Sequence, residues 1–277
     1  MNATAALLDR TSDLNFSQLV GLVNEPNMCS GGTATLRTIL REAPTLHTTD
    51  RVLEVGSNTG FAVLELAAQT PAIVHGLDIE PASVALATAK AATLGLDNAR
   101  FQVGDGTRID FPDEYFSLVF VSNVTSFIPQ ARRAVADYYR VLRPLGTLAA
   151  VPIYYHRQPP ASLVAEVEAA IGAPIRQRSL DDWLDLFGGQ PYFLQEYEYE
   201  HRDDRDIDRY VRQVLDQPSN DALDAELKQA AGERLRYFYA LFNENLQYAR
   251  YAIVLLRKGA PTPFPILHTS RRVPDEQ

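Results

Sequence analysis

The sequence predicts an α/β protein built on one mostly parallel sheet, and three observations carry that expectation. Between residues 51 and 153 short apolar runs alternate with helical periodicity, a pattern that demands parallel pairing through right-handed crossovers. The first run, Val52–Val55, leads into a glycine-bracketed turn, Gly56-Ser57-Asn58-Thr59-Gly60, that opens a helix. The last run, Tyr251–Arg257, is apolar throughout, as a strand central in a sheet should be.

Taken in order, residues 1–50 lack a strand signal and read as an N-terminal helical lid. Asn15–Val23 is a short amphipathic run. Ser30-Gly31-Gly32-Thr33 offers a polar cap for a second helix over Ala34–Leu40. That second helix is expected either to cover the sheet or to carry Asn27–Gly32 over a ligand, since glycines allow close backbone approach. The strands expected next are Val52–Val55, Ile73–Leu77, Phe101–Val103, Phe116–Val121 and Gly146–Ile153. Helices Ala62–Ala68, Pro81–Leu94 and Ala131–Val141 lie between them. Proline opens the second of these helices and Gly95 closes it, the usual asymmetry of helix ends. Pro160–Ile171 and Leu180–Phe187 read as cap helices, within an insertion at about 157–190. Tyr192–Glu200 alternates like a half-exposed strand. Asp203–Leu215 and Ala222–Leu246 form a second insertion, at about 203–247, too long for a hairpin turn. From residue 259 onward a proline-rich tail is expected to be an extended arm.

Composition narrows the partners. A net charge of −9 on 277 residues disfavours a nucleic-acid surface, which needs Lys and Arg against phosphates. With one cysteine, Cys29, no disulfide forms within the chain, which suits a reducing cytoplasm. The first residues carry no cationic start or apolar core of a signal peptide, and no apolar run is long enough to span a bilayer. The expectation is a cytoplasmic protein without membrane or nucleic-acid partners and without a metal site. The long cap or the tail offers a surface for a homodimer.

The turn at 56–60 decides between ligands. Its glycines are four apart, which is not the G-x-G-x-x-G of a dinucleotide site, and no lysine follows Gly60 as in a phosphate loop. Two residues before Gly56 stands Glu54. A carboxylate there repels phosphate and favours a cationic ligand.

The run Glu54-Val55-Gly56-Ser57-Asn58-Thr59-Gly60 resembles motif I of the class I S-adenosylmethionine-dependent methyltransferases, usually written E/D-x-G-x-G-x-G. Further stations follow in register. Asp78, followed by Ile79, matches the acidic end of the second strand, which in that family holds the ribose hydroxyls. Gly104-Asp105-Gly106 matches the adenine station. Ser122 and Asn123 end the fourth strand near the transferred methyl, and Arg140-Val141-Leu142-Arg143-Pro144-Leu145-Gly146 resembles the helix-to-strand turn usually reading L-K-P-G-G. The resemblance covers about residues 50–155 and the last strand. It implies a Rossmann-like, seven-stranded sheet with the last strand antiparallel, S-adenosylmethionine as co-substrate and a small-molecule acceptor. It also assigns Glu54, Gly56, Ser57, Asn58, Gly60, Asp78, Ile79, Asp105, Gly106, Ser122 and Asn123 to the cofactor. Asn58 departs from the pattern, standing where glycine is usual; asparagine tolerates φ > 0 better than other side chains. Either it only solves that backbone problem or its amide meets the methionyl end of the cofactor.

For the transfer itself the candidates are Asn123, Tyr155 and His156. Asn123 ends the fourth strand. Tyr155 and His156 follow the fifth, and His156 has the ordinary pKa for proton transfer. Tyrosines at 237, 239, 248 and 251 are expected to pack the cap or to face a sulfonium with their rings. Methyl transfer to oxygen, nitrogen or carbon is the first expectation. Intramolecular attack of the cofactor's α-amine, giving azetidine-2-carboxylate and methylthioadenosine, is an alternative. An inactive binding scaffold is another.

Overall fold

The computed structural model describes residues 14–188 and 191–259. The expected tail therefore lies outside the described residues, except for Gly259, as do the first 13 positions of the expected lid.

Strands β1 (Arg51–Val55), β2 (Ile73–Asp78), β3 (Ala99–Val103), β4 (Phe116–Ser122) and β5 (Leu142–Val151) form the parallel half of the sheet, in the order β3-β2-β1-β4-β5. β8 (Ala249–Arg257) runs antiparallel to β5, to the short β6 (Ile153–Tyr155) and to β7 (Phe193–Glu198). The count of eight strands against the expected seven has one cause. Pro152 interrupts the fifth strand, so β5 and β6 both lie along the same flank of β8. A register shift between Phe116 and Leu118 lets β5 start at Leu142, ahead of the Arg143–Gly146 turn, where Leu145 has φ +63°. The turn is a bulge inside the strand rather than the lead-in to it.

Two apolar layers flank the sheet. One face packs α5 (Ala131–Val141) and α7 (Leu180–Phe187) over Val119, Val121, Leu148 and Val254. Trp183 anchors α7 there, buried and donating from Nε1 to the Ile153 carbonyl at 3.1 Å. The other face carries α2 (Gly32–Glu42) and α3 (Phe61–Gln69), which bury Leu36, Ile39, Val63 and Leu66 on Val52, Phe120 and Ile253. The helix after β2, α4 (Pro81–Leu94), packs against β2 and β3 and ends at Gly95, with φ +66°.

A third apolar cluster stands apart from the sheet. It joins α1 (Phe16–Leu22), α6 (Ala161–Ile171), α8 (Asp204–Leu215) and α9 (Ala225–Leu246) through Leu19, Val23, Leu163, Val211, Leu235 and Phe238. Phe16 sets its ring edge-on to Phe238, Tyr239 and Phe242, with centroids 4.9–5.9 Å apart. The N-terminal segment is thus divided. Its first helix belongs to the cap, its second to the sheet, and residues 23–31 run between them as a strap.

Candidate active site at the carboxyl edge of the sheet

The parallel strands present their carboxyl ends together, and the turn after β1 is bent to fit there. Gly56 has φ +81°, and a Cβ on it would lie 2.5 Å from Val124 Cγ2. Gly60, with φ +94°, opens α3; a Cβ there would come within 2.9 Å of Ala87 Cβ and of the Phe101 ring. Only glycine meets both demands at these positions. Asn58 between them has φ +44°, and its side-chain oxygen accepts from the Thr59 N–H at 2.6 Å. Its amide is therefore engaged in holding the turn.

Asp78, at the end of β2, ties the turn to the neighbouring strand. Its Oδ2 accepts the Asn58 N–H at 2.7 Å and its Oδ1 the Glu80 N–H at 2.9 Å. Each carboxylate oxygen keeps a further lone pair for a ligand. Glu54, one strand over, is the opposite kind of acid. It is 5% exposed, and burial, with the nearby Asp78 charge second, pushes its carboxyl up to about 8. Its Oε2 and the Ser57 Oγ are buried with no hydrogen-bond partner. Two orphaned polar atoms at the start of the glycine turn mark a place made for a polar ligand.

The other expected cofactor residues close the same edge. Ile79 is 73% exposed and Val103 52% exposed, apolar side chains held out beside the ends of β2 and β3. Asp105 is exposed and turns Oδ1 to the Thr107 N–H at 2.8 Å, while Gly106 lies against Val55. Ser122 ends β4. Asn123 follows it in the left-handed region, φ +54°, and its side-chain oxygen accepts from Ser126 Oγ at 2.6 Å.

The acceptor-side candidates separate. The Tyr155 phenol donates to Asn245 Oδ1 at 2.9 Å, and burial raises its pKa, so it is a donor rather than a base. His156 is exposed, beyond the break at Pro152. Its backbone N–H bonds to the Tyr248 carbonyl and its ring lies near Glu198 on the β7–β8 side. The tyrosines divide likewise. Tyr239 and Tyr248 pack in the cap, whereas Tyr251 stacks on Tyr197 at 4.8 Å under the strap.

Residues with no motif complete the site. The strap crosses the turn so closely that Thr59 Oγ1 donates to the Glu25 carbonyl at 3.2 Å. Cys29 lies near Glu54, and burial followed by that carboxyl's charge pushes its thiol up to about 12. Ser30 Oγ and the Tyr199 hydroxyl are 2.6 Å apart. Asparagine and glycine at 24, 27, 31 and 32 were the available sign that this segment folds tightly, and all four have positive φ. Among the described residues no group of three His, Cys, Asp or Glu side chains is placed to hold a metal, and no helix is long and apolar enough to cross a membrane.

Residues 52–146 match the methyltransferase domain model Methyltransf_25. With the strand order and the acid-and-glycine turn, this makes the segment similar to the methyltransferase domains of class I S-adenosylmethionine-dependent enzymes. Among curated relatives, protein-L-isoaspartate O-methyltransferase of Roseiflexus castenholzii is 37% identical over 110 residues, 39% of this chain and 50% of that one. Phthiotriol/phenolphthiotriol dimycocerosates methyltransferase 1 of Mycobacterium ulcerans is 35% identical over 131 residues, covering 47% and 45%. The chain spans about half the length of the curated relatives it matches. The fold extends further: the crystal structure of MccD protein superposes with a TM-score of 0.69 at 21% identity, covering 84% of this chain and all of that one. The [4+2]-cyclase SpnF gives 0.64 at 17%, covering 84% and 82%.

Proposed function

We propose that the protein is an S-adenosylmethionine-dependent methyltransferase acting on a small-molecule acceptor. The observation that carries this is the pair of unlike carboxylates around the turn at 56–60. Asp78, braced by two backbone N–H groups, has lone pairs free for a vicinal diol. The buried Glu54 and Ser57 have unmet atoms for the polar end of a cationic ligand. Ile79 and Val103 supply apolar surface for a planar base, with Asp105 at its rim. The chemistry of these residues suits the cofactor.

The cofactor supplies a methyl group already activated by its sulfonium, so the protein's task is alignment, exclusion of water and removal of the acceptor's proton where it has one. The strap and the cap exclude water. Asn123 and Tyr155, as hydrogen-bonding groups, orient the acceptor. His156 is a candidate only for proton traffic at the rim. The names of the curated relatives support methyl transfer; the comparisons do not favour cyclisation of the cofactor. The complete set of Glu54, Gly56, Gly60, Asp78 and Asp105 supports an active enzyme over a scaffold.

The test is turnover with isotope-labelled S-adenosylmethionine and a panel of hydroxy, amino and carboxylate metabolites, read by mass spectrometry. The expected result is S-adenosylhomocysteine formed in step with one methylated product, and negligible turnover without acceptor. Methylthioadenosine released from the cofactor alone would contradict the proposal.

A further inference from the structure

Glu25 is a carboxylate 3% exposed, in the strap that links α1 to α2, and among the described residues no arginine pairs with it. Its surroundings come from four separate elements. Within the strap its Oε2 accepts the Asn27 N–H at 2.6 Å. From α8 the Tyr210 phenol donates to Oε1. From α9 the Tyr239 hydroxyl, buried and lacking a partner of good geometry, lies beside both, its ring edge-on to Tyr210 at 5.2 Å. From the cofactor turn Thr59 Oγ1 donates to the Glu25 carbonyl, while the Thr59 carbonyl accepts from Lys90 Nζ of α4 at 3.3 Å. Among the described residues Lys90 is the one cation that faces Glu25, and burial lowers its pKa as it raises that of the carboxyl.

A buried carboxylate with so little compensation costs stability, and an amide of the same shape would make several of these bonds at less expense. Its bonds join parts that lie far apart in the sequence. The parts are the strap, the cap and the turn carrying the cofactor residues.

We infer that Glu25 is a positioning residue for the cofactor turn: it clamps the strap at 23–31 between Thr59 on one side and the Tyr210 phenol of the cap on the other. The clamp acts on the cofactor through the backbone of the turn, where the Asn58 N–H and the Gly60 bend are set. The second end of the strap is latched independently by Ser30 on Tyr199. Releasing Glu25 therefore loosens the cofactor end while leaving the strap attached. This inference rests on the proposed cofactor, and its test separates the two.

The experiment is a calorimetric titration of S-adenosylmethionine into wild type, Glu25→Ala, Glu25→Gln and Tyr210→Phe, with amide hydrogen exchange on the same proteins. Wild type should bind at one site. Glu25→Ala should bind about tenfold more weakly, the scale of one or two lost hydrogen bonds. Exchange should quicken both at 23–31 and at 56–60, two segments that share the clamp but not an element. Glu25→Gln should recover most of the affinity, and Tyr210→Phe should fall between. If Glu25→Ala does not fold, the other two variants still decide the matter. Affinity within twofold of wild type in every folded variant, with unchanged exchange at 56–60, would overturn the clamp. No binding by folded wild type would overturn the proposed function instead.

Discussion

The carboxyl edge of the sheet and the helical cap over it are held by different physics. At the edge, side chains are chosen by backbone need and by charge: φ above zero at Gly56, Asn58 and Gly60, an acid braced by N–H groups at Asp78, an acid stripped of partners at Glu54. In the cap the choice is volume. Leu19, Val211, Leu235 and Phe238 need only be apolar and spaced to face one another. The edge should therefore govern ligand affinity and the cap stability, and substitutions can set the two against each other.

The largest effect on stability belongs to the cap. Phe238→Ala empties a fully buried site ringed by Phe16 and Phe242 and should cost about 3–5 kcal/mol, read by denaturant unfolding. The cap would separate cleanly from the edge if the folded variant kept its cofactor affinity.

Asp78→Ala comes next. It removes the expected ribose acceptor and leaves the N–H groups of Asn58 and Glu80 without their partner. Cofactor affinity should fall roughly 100-fold, about 3 kcal/mol, with a much smaller change in melting temperature. A comparable loss of stability instead would mean that the edge is built like the cap.

Glu54→Gln sharpens the contrast through pH. In the folded protein the carboxyl titrates at about 8, against about 4.5 when exposed on unfolding. Between those values the folded state holds the extra proton, so stability is full below the unfolded value and is lost as pH rises through the folded one. The glutamine variant lacks this loss. It should gain on wild type progressively between pH 5 and 8, by roughly 3–4 kcal/mol at the upper end, while binding the cationic cofactor more weakly. Parallel melting curves across that range would show Glu54 to be ionised throughout.

Asn58→Gly is the smallest change. Glycine accepts φ +44° freely and gives up only the bond to the Thr59 N–H. Stability should move by about 0.5 kcal/mol or less and affinity by less than twofold. A tenfold loss of affinity would assign the Asn58 amide to the cofactor.

The same contrast explains what could be read from the sequence. Gly56, Gly60, Asp78 and the parallel pairing of the first strands were legible because tight turns, charged strand ends and alternating strand and helix periods admit few alternatives. The helices of the cap were legible as helices, since period alone defines them, but nothing in that period says what they cover. That Phe16 joins the cap and Leu36 the sheet depends on pairings far apart in sequence. Glu25 carries no signal at all, because its partners come from residues 59, 90, 210 and 239.

The account turns on whether the carboxyl edge around Asp78 is the cofactor site. Calorimetric titration of S-adenosylmethionine at pH 7.5, into wild type and folded Asp78→Ala side by side, tests it most directly. The account predicts one saturable site in wild type and affinity weakened by roughly 100-fold in the variant. Equal affinity in the two proteins, or no binding by folded wild type, would contradict it.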